Sequence, residues 1–248
     1  MLATFTEDRL TPLTFEEAAE AMRAALGSVM TARPTDAVLA LALAKNAFET
    51  ARWKSCHCFN LGNVKAGDSY VGMFTAFACG ENLNDGVHWF EPDGTDKNLT
   101  KGTVTRKVTF TVPPGHPQTR FRAYANQVDG AYSYVDFVAS SNYAAAWREL
   151  LRGDAVAFVH ALKAAHYFTG PENAYAAGVL SMQHEFLAKL KGLSPEPAAV
   201  DWGKANAAVR SLNLASSLPE DVAGRAGQDV ADYSSDDDEP PTPPSNNA

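Results

Sequence analysis

Glu49 sits at the exit of a segment with no polar face. From Thr35 to about Ala51 the chain carries Val38-Leu39-Ala40-Leu41-Ala42-Leu43-Ala44, unbroken until Lys45. That pattern predicts a core helix rather than a surface one, with Thr35 as N-cap and Asp36 in the first turn. It leaves the Glu49 carboxyl at the edge of the core, where partial desolvation suits a general acid. The competing reading is a helix-end charge in solvent, or one paired with Lys45 or Arg52. Cleavage of a glycosidic bond takes two carboxyls, one to protonate the leaving oxygen and one to activate water or stabilise an oxocarbenium-like transition state. Five acids in a turn-rich stretch could supply the second: Glu81, Asp85, Glu91, Asp93 and Asp96. Residue type alone does not choose among them, since each also suits a turn.

Other chemistries find less support. Cys56-His57-Cys58 with distant Cys79 is a poor match to the paired spacings of zinc sites; buried free thiols, or one Cys58–Cys79 or Cys56–Cys79 bridge, fit better. His160 and His166 lie six apart and do not share a helix face. Ser181 lacks the glycine-flanked turn of a serine nucleophile, and there is no phosphate-cradling glycine loop. No metal or organic cofactor is implied.

The elements that must position these residues read as α, small β, α. A helical pattern runs from Phe15 to about Met30 and a second from Thr35 to about Ala51. From Asp68 to Val112 the texture turns to short strands around Tyr70, Val71, Met73, Phe74, Phe77, Val87, Trp89 and Phe90, and the alternating Val104, Val108, Phe110 and Val112, joined by Gly and Asn-Asp-Gly turns. Helical texture resumes at about Asn126, continues through Ala144-Ala145-Ala146-Trp147, then Asp154 to Tyr167, then Glu172 to Lys191. The fold class is therefore α+β and predominantly helical, with an active site expected between two lobes.

The 248 residues are 46% hydrophobic and 20% charged, ordinary globular composition. The net charge of −8 is concentrated: residues Pro219 to Ala248 hold eight acids against Arg225, leaving −1 for the rest. A near-neutral body without a basic stripe argues against a nucleic-acid partner. The longest apolar run, Ala37 to Ala44, is far short of the ~20 residues that cross a bilayer, so no membrane insertion is expected. The start of the chain (Thr6, Glu7, Asp8, Arg9) lacks the basic-then-apolar pattern of a secretory signal. Residues 191–218 read as a linker with a short helix near Trp202, and 219–248 as a disordered, acidic, proline-rich tail.

Four blocks in order carry a family resemblance. Ala47-Phe48-Glu49-Thr50 is similar to an "ALET" helix end, and Phe59-Asn60-Leu61-Gly62-Asn63-Val64-Lys65 to an "NLFGIK" loop. Arg120-Phe121-Arg122-Ala123-Tyr124 is close to "FRAY", and Ala165-His166-Tyr167-Phe168-Thr169 with Tyr175-Ala176-Ala177 is like "GYATDPxYA". Together they resemble the glucosaminidase family of bacterial cell-wall hydrolases, the flagellar and autolysin-type enzymes with a lysozyme-like fold, over about residues 35 to 186.

The resemblance implies a catalytic domain over residues 1–190, with a β lobe at about 68–122, acting on peptidoglycan glycan strands. It makes Glu49 the general acid and raises Glu81, before Asn82-Leu83-Asn84-Asp85-Gly86, to the second carboxyl, with Glu91 or Asp93 as alternatives. Tyr167 would lie in the cleft opposite Glu49 and position the N-acetyl group or the water. Asn60, Asn63, Tyr70, Trp89, Tyr124 and Tyr175 are the residue types of a sugar groove, although Tyr124 and Tyr175 equally suit packing with a bonded hydroxyl. Three departures stand out: Arg52-Trp53-Lys54 replaces a Gly-rich segment after the acid, His166 stands where the family has Gly, and Pro92 to His116 is an insertion. The alternatives are a non-catalytic wall-binding module of the same fold, a lytic transglycosylase or a muramidase. With a substrate in the periplasm or cell wall and no export signal, a phage-associated or machine-delivered protein is expected, its tail serving a delivery or virion partner.

Overall fold

Side-chain caps start the helices where the sequence places them. The Thr14 hydroxyl accepts from Glu17 N at 3.2 Å while the Glu17 carboxylate accepts from Thr14 N at 2.8 Å, and this reciprocal cap opens α1, Phe15–Val29. Thr35 accepts from Val38 N at 3.3 Å to open α2, Asp36–Glu49. The computed structural model describes residues 3–68, 70–106 and 116–192. Within them Asn126 caps α3 (Gln127–Val138), α4 (Ala144–Arg152) ends on Gly153 in the left-handed region, Asp154 caps α5 (Ala155–Ala164), and α6 spans Glu172–Gly192. The chain is α+β and mainly helical.

Every residue of α2 from Val38 to Ala47 is buried. Helices α1, α4 and α6 pack around it, and the core adds Tyr134 and Val138 of α3 with Phe158 and Leu162 of α5. Gln183 of α6 donates to the carbonyls of Ala37 and Gly153 at 3.3 and 2.8 Å, fixing the start of α2 against the end of α4. Near the other end of α2, Gly178 lets α6 close onto Phe48: a Cβ there would stand 2.3 Å from the ring.

The β region forms two sheets. Strand β1 (Thr4–Phe5) runs parallel to β2 (Met73–Ala76), which pairs antiparallel with β7 (Arg120–Arg122). The other sheet is an antiparallel meander of β3 (Cys79–Leu83), β4 (Gly86–Phe90), β5 (Thr95–Asn98) and β6 (Thr103–Arg106). Pairing Glu81 with His88 and Gly80 with Trp89 puts Glu81 and Trp89 on opposite faces. His88 is sandwiched between Asp96 at 2.7 Å and Asp85 at 2.9 Å, which ties the strands together below the Asn84-Asp85 turn. Lys101, then His88, hold the Asp85 carboxyl down at about 2.

Several boundaries differ from the expectation. Helix α2 stops at Glu49 rather than near Ala51, and α5 stops at Ala164, three residues before Tyr167. The two-residue β1 is too short to leave a pattern of its own. The three thiols are free, Cys56 and Cys58 buried, so of the alternatives read from the sequence it is free thiols, not a bridge, that the structure holds. The alternation at Val108, Phe110 and Val112, and beyond Gly192 the expected linker helix and tail, lie outside the described residues.

The turn that ends α2 is strained. Ala51, Arg52 and Trp53 have φ of 47°, 58° and 60°, a left-handed run that costs non-glycine residues roughly 1–2 kcal/mol each. Packing against α6 holds it: Trp53, 2% exposed, stacks on Phe186 at 5.5 Å, and Arg52 makes a two-pronged ion pair with Glu185 at 2.8 and 3.0 Å. Phe186→Ala is therefore expected to cost about 3–5 kcal/mol, near the upper end for a buried aromatic. An unfolding free energy from urea titration lowered by less than ~1 kcal/mol, at constant slope, would show that the turn does not depend on this ring.

Candidate active site

At the exit of α2 the Glu49 side chain, 20% exposed, opens into a cavity of about 320 Å³ between the helices and the meander. Its wall takes Asn63 and Lys65 from the loop after α2, Cys79 to Asn82 from β3, Phe121 from β7, and Tyr167 to Gly170 and Tyr175 from the α5–α6 connection and α6. Four of the expected site residues thus share the cavity with Glu49: Glu81, Tyr167, Asn63 and Tyr175. Of the β-lobe acids considered, Glu81 faces it. Glu91 instead pairs with Lys97 at 2.7 Å and accepts from the Trp89 indole at 3.1 Å, while Asp93 caps the next turn at Thr95 N. Asp85 and Asp96 belong to the His88 clamp.

Glu49 is held from three sides. The Tyr175 hydroxyl donates to its Oε1 in a short hydrogen bond. Asn63, itself left-handed at φ 49°, donates from its side chain to the Glu49 carbonyl at 2.9 Å and locks the helix end to the following loop. Beneath it the Lys45 ammonium, 0% exposed, stands 3.6 Å from Oε1, donates to the Tyr167 hydroxyl and lies 3.9 Å from the Tyr167 ring centre. The Tyr167 hydroxyl in turn donates a hydrogen bond to the Gly62 carbonyl at 3.0 Å. Gly62 must lack a side chain: a Cβ there would sit 2.4 Å from the Tyr134 ring.

Burial, then the Glu49 charge, keep the phenols of Tyr134, Tyr167 and Tyr175 well above their ordinary range, so all three remain neutral, and Tyr167 and Tyr175 act as donors. Lys45 goes the other way. Desolvation, partly offset by Glu49, brings it from 10.5 to about 8.

Across the cavity Glu81, 25% exposed, accepts from Lys65 Nζ at 2.5 Å, and Lys65 also reaches the side-chain and backbone oxygens of Gln118 at 2.6 and 3.0 Å. The neighbouring Cys79 thiol is pushed up to about 11 by burial and donates to the Gln118 carbonyl, so it is no ready nucleophile. Lys163 grips the carbonyls of Phe168, Thr169 and Gly170 at 3.0 to 3.3 Å and fixes the rim, where Phe168 stacks on Tyr175 at 4.1 Å. The result is two carboxyls facing one aromatic-walled space, each with its own lysine.

Four expected groove residues lie elsewhere, for physical reasons. Asn60 is 1% exposed and bonds both ways with the Val64 backbone at 2.9 Å, clamping the loop that aims the Gly62 carbonyl. Tyr70 belongs to a small core with Ala66 and Phe74, under the Arg122 guanidinium. Tyr124 bonds Ser133 on α3 at 2.6 Å. Trp89 stands on the meander face opposite Glu81, against Gly80. Conversely, Lys65, Tyr134, Phe121 and Phe168 line or support the site without having been singled out. Lys65 closes the second resemblance block, and that position was its available signal.

No family model matches the chain, and no curated protein matches it. Among solved structures it is similar to a peptidoglycan hydrolase mutant from Sphingomonas sp. A1, at 23% identity over 71% of this chain and 95% of that one, with a TM-score of 0.45.

The depressed Lys45 value has a measurable consequence. Between about 8 and 10.5 the unfolded chain binds a proton that the folded chain does not, so this residue adds stability as pH rises through that window and loses it as pH falls through about 8. The full swing is about 3 kcal/mol. Urea unfolding of wild type and Lys45→Met at pH 7 and pH 10.5 should show the wild type gaining on the variant by that order; equal slopes with pH would refute the burial of a chargeable lysine.

Proposed function

We infer that the protein hydrolyses the glycan backbone of peptidoglycan, as an endo-β-N-acetylglucosaminidase with Glu49 as general acid. The observation that carries this reading is the convergence of Glu49 and Glu81, from different lobes, on one cavity walled by Phe121, Tyr167, Phe168 and Tyr175. Aromatic faces of this kind suit the apolar faces of sugar rings, the first of the four sequence blocks contains Glu49, and the resemblance raises Glu81 as the second acid. Glu49 balances Lys45 as a carboxylate in the free protein; once it has taken up a proton it delivers that proton to the leaving oxygen as the anomeric carbon–oxygen bond breaks. Water adds at the anomeric carbon, and Glu81, already an acceptor toward Lys65, takes its proton or stabilises the developing positive charge. Tyr175, a neutral donor, steadies the Glu49 carboxyl. Such a substrate places the work in the periplasm or at the cell wall.

The test is digestion of purified peptidoglycan, with mass spectrometry of the borohydride-reduced products. Wild type should release fragments with reduced N-acetylglucosamine ends, and Glu49→Gln should lose on the order of 10²–10⁴ in rate or more. Muramic-acid ends would make the enzyme a muramidase. Glu81→Gln is expected to fall by a similar factor. A fully active Glu81→Gln giving anhydro ends would replace hydrolysis with a transglycosylase scheme run by Glu49 alone. Absence of cleavage by the wild type on several wall types would support a binding module instead.

A further inference from the structure

Lys45 is a fully buried lysine, in a helix whose buried stretch from Val38 to Ala47 is otherwise valine, leucine and alanine apart from Asn46. Burying an ammonium is costly, and a leucine or methionine would fill the same space without that cost. Its surroundings show what the charge touches. One helical turn before Glu49, it stands 3.6 Å from the carboxylate, bonds the Tyr167 hydroxyl, and lies 3.5 Å from the Gly62 carbonyl oxygen. The Tyr134 and Tyr167 rings cover it, their centres 5.3 and 3.9 Å away. These contacts join α2, the loop after it, α3 and the α5–α6 connection, so one ammonium meets four segments of the cavity wall.

We propose that Lys45 is a positioning residue for Glu49: its ammonium fixes the Glu49 carboxyl, the Tyr167 hydroxyl and the Gly62 carbonyl as one unit, and turnover requires Lys45 to carry its proton. The proposal rests on Glu49 being the acid. Without the ammonium the carboxyl keeps Tyr175 but loses its inner anchor, and Tyr167 loses the cation that orients its hydroxyl toward Gly62.

The titratable groups facing Lys45 are few. Glu49 lies on its own helix, Tyr134 on α3 and Tyr167 on the α5–α6 connection; Tyr175 of α6 acts through Glu49, and Arg122 of β7 is felt at Tyr167. The phenols stay neutral, and burial of Lys45 brings its own charge change to about 8. Activity should therefore fall on the alkaline side as Lys45 deprotonates, even though the fold grows more stable there.

The experiment compares wild type, Lys45→Met and Glu49→Gln on soluble peptidoglycan fragments across pH 5 to 10. It also follows the lysine Cε resonances of full-length wild type and Glu49→Gln by NMR, with Lys45 assigned through its contacts to the Tyr134 and Tyr167 rings. Lys45→Met should lose kcat on the order of 10²-fold with KM nearly unchanged, as misorientation of a reacting group predicts, and should lack the alkaline limb near pH 8. In the spectra, the Lys45 midpoint should drop by about one unit or more in Glu49→Gln, because its counter-charge is gone. The spectra decide the matter if Lys45→Met fails to fold.

A Lys45→Met enzyme with wild-type kcat, or one that keeps the limb near pH 8, overturns the role of Lys45, as does a midpoint that ignores Glu49→Gln. A fully active Glu49→Gln overturns the acid assignment itself, and the Lys45 role with it. An inactive Glu49→Gln beside an unaffected Lys45→Met removes the Lys45 role alone.

Discussion

A helix that is apolar on every side must be covered on every side, and this requirement on α2 organises the rest of the molecule. Three other helices wrap it, and the sequence offers no polar face by which it could slide or tilt toward solvent. Its C-terminal end is where the cover opens, and Glu49 occupies that point with one fifth of its side chain exposed. The carboxyl is therefore placed by burial of its own helix rather than by a flexible loop. A site mounted on a fully enclosed element inherits the rigidity of the core.

Leaving such a helix abruptly has a cost, which the chain meets with packing instead of glycine. Three successive left-handed residues follow Thr50, in the stretch where the family it resembles carries a Gly-rich segment. Trp53 and Arg52 are held against Phe186 and Glu185 of α6, the same helix that supplies Tyr175 to Glu49. The helix that stabilises the strained exit thus also positions the acid's hydrogen-bond donor, so slippage of α6 would disturb both.

Much of this was legible in the sequence, and the rest was hidden for identifiable reasons. The capped helices could be read because Thr14, Thr35, Asn126 and Asp154 each mark a start by side-chain chemistry that acts within three residues. The burial of α2 could be read from its unbroken apolar run. The fates of Asn60, Tyr70 and Tyr124 could not, because an amide or phenol that satisfies a nearby backbone or hydroxyl looks in sequence like one that waits for a sugar. Trp89 was lost to parity, since one step along a strand moves a side chain from the cavity face to the other. The split of the β region into two sheets follows from β2 pairing with distant β7 and with the two-residue β1 some 70 residues before it, contact information that no local pattern carries.

The two carboxyls end up in electrostatic settings that differ by solvent access more than by distance. Lys65 is closer to Glu81 than Lys45 is to Glu49, 2.5 against 3.6 Å, yet Lys65 is 26% exposed and shares its protons with Gln118. Water screens such a pair; at about 4 Å two unit charges interact by about 1 kcal/mol in bulk water and about 4 kcal/mol at the effective dielectric near a protein surface. Among the described residues, the polar partners of the Lys45 ammonium besides Glu49 are the Tyr167 hydroxyl and the Gly62 carbonyl, both in the protein interior. A partly exposed Lys65 can rearrange when a sugar enters, whereas the buried Lys45 holds the inner side of a carboxyl that itself opens into the cavity. Under the proposed hydrolysis, that asymmetry suits a fixed proton donor on the helical side facing a more adaptable acceptor on the β lobe.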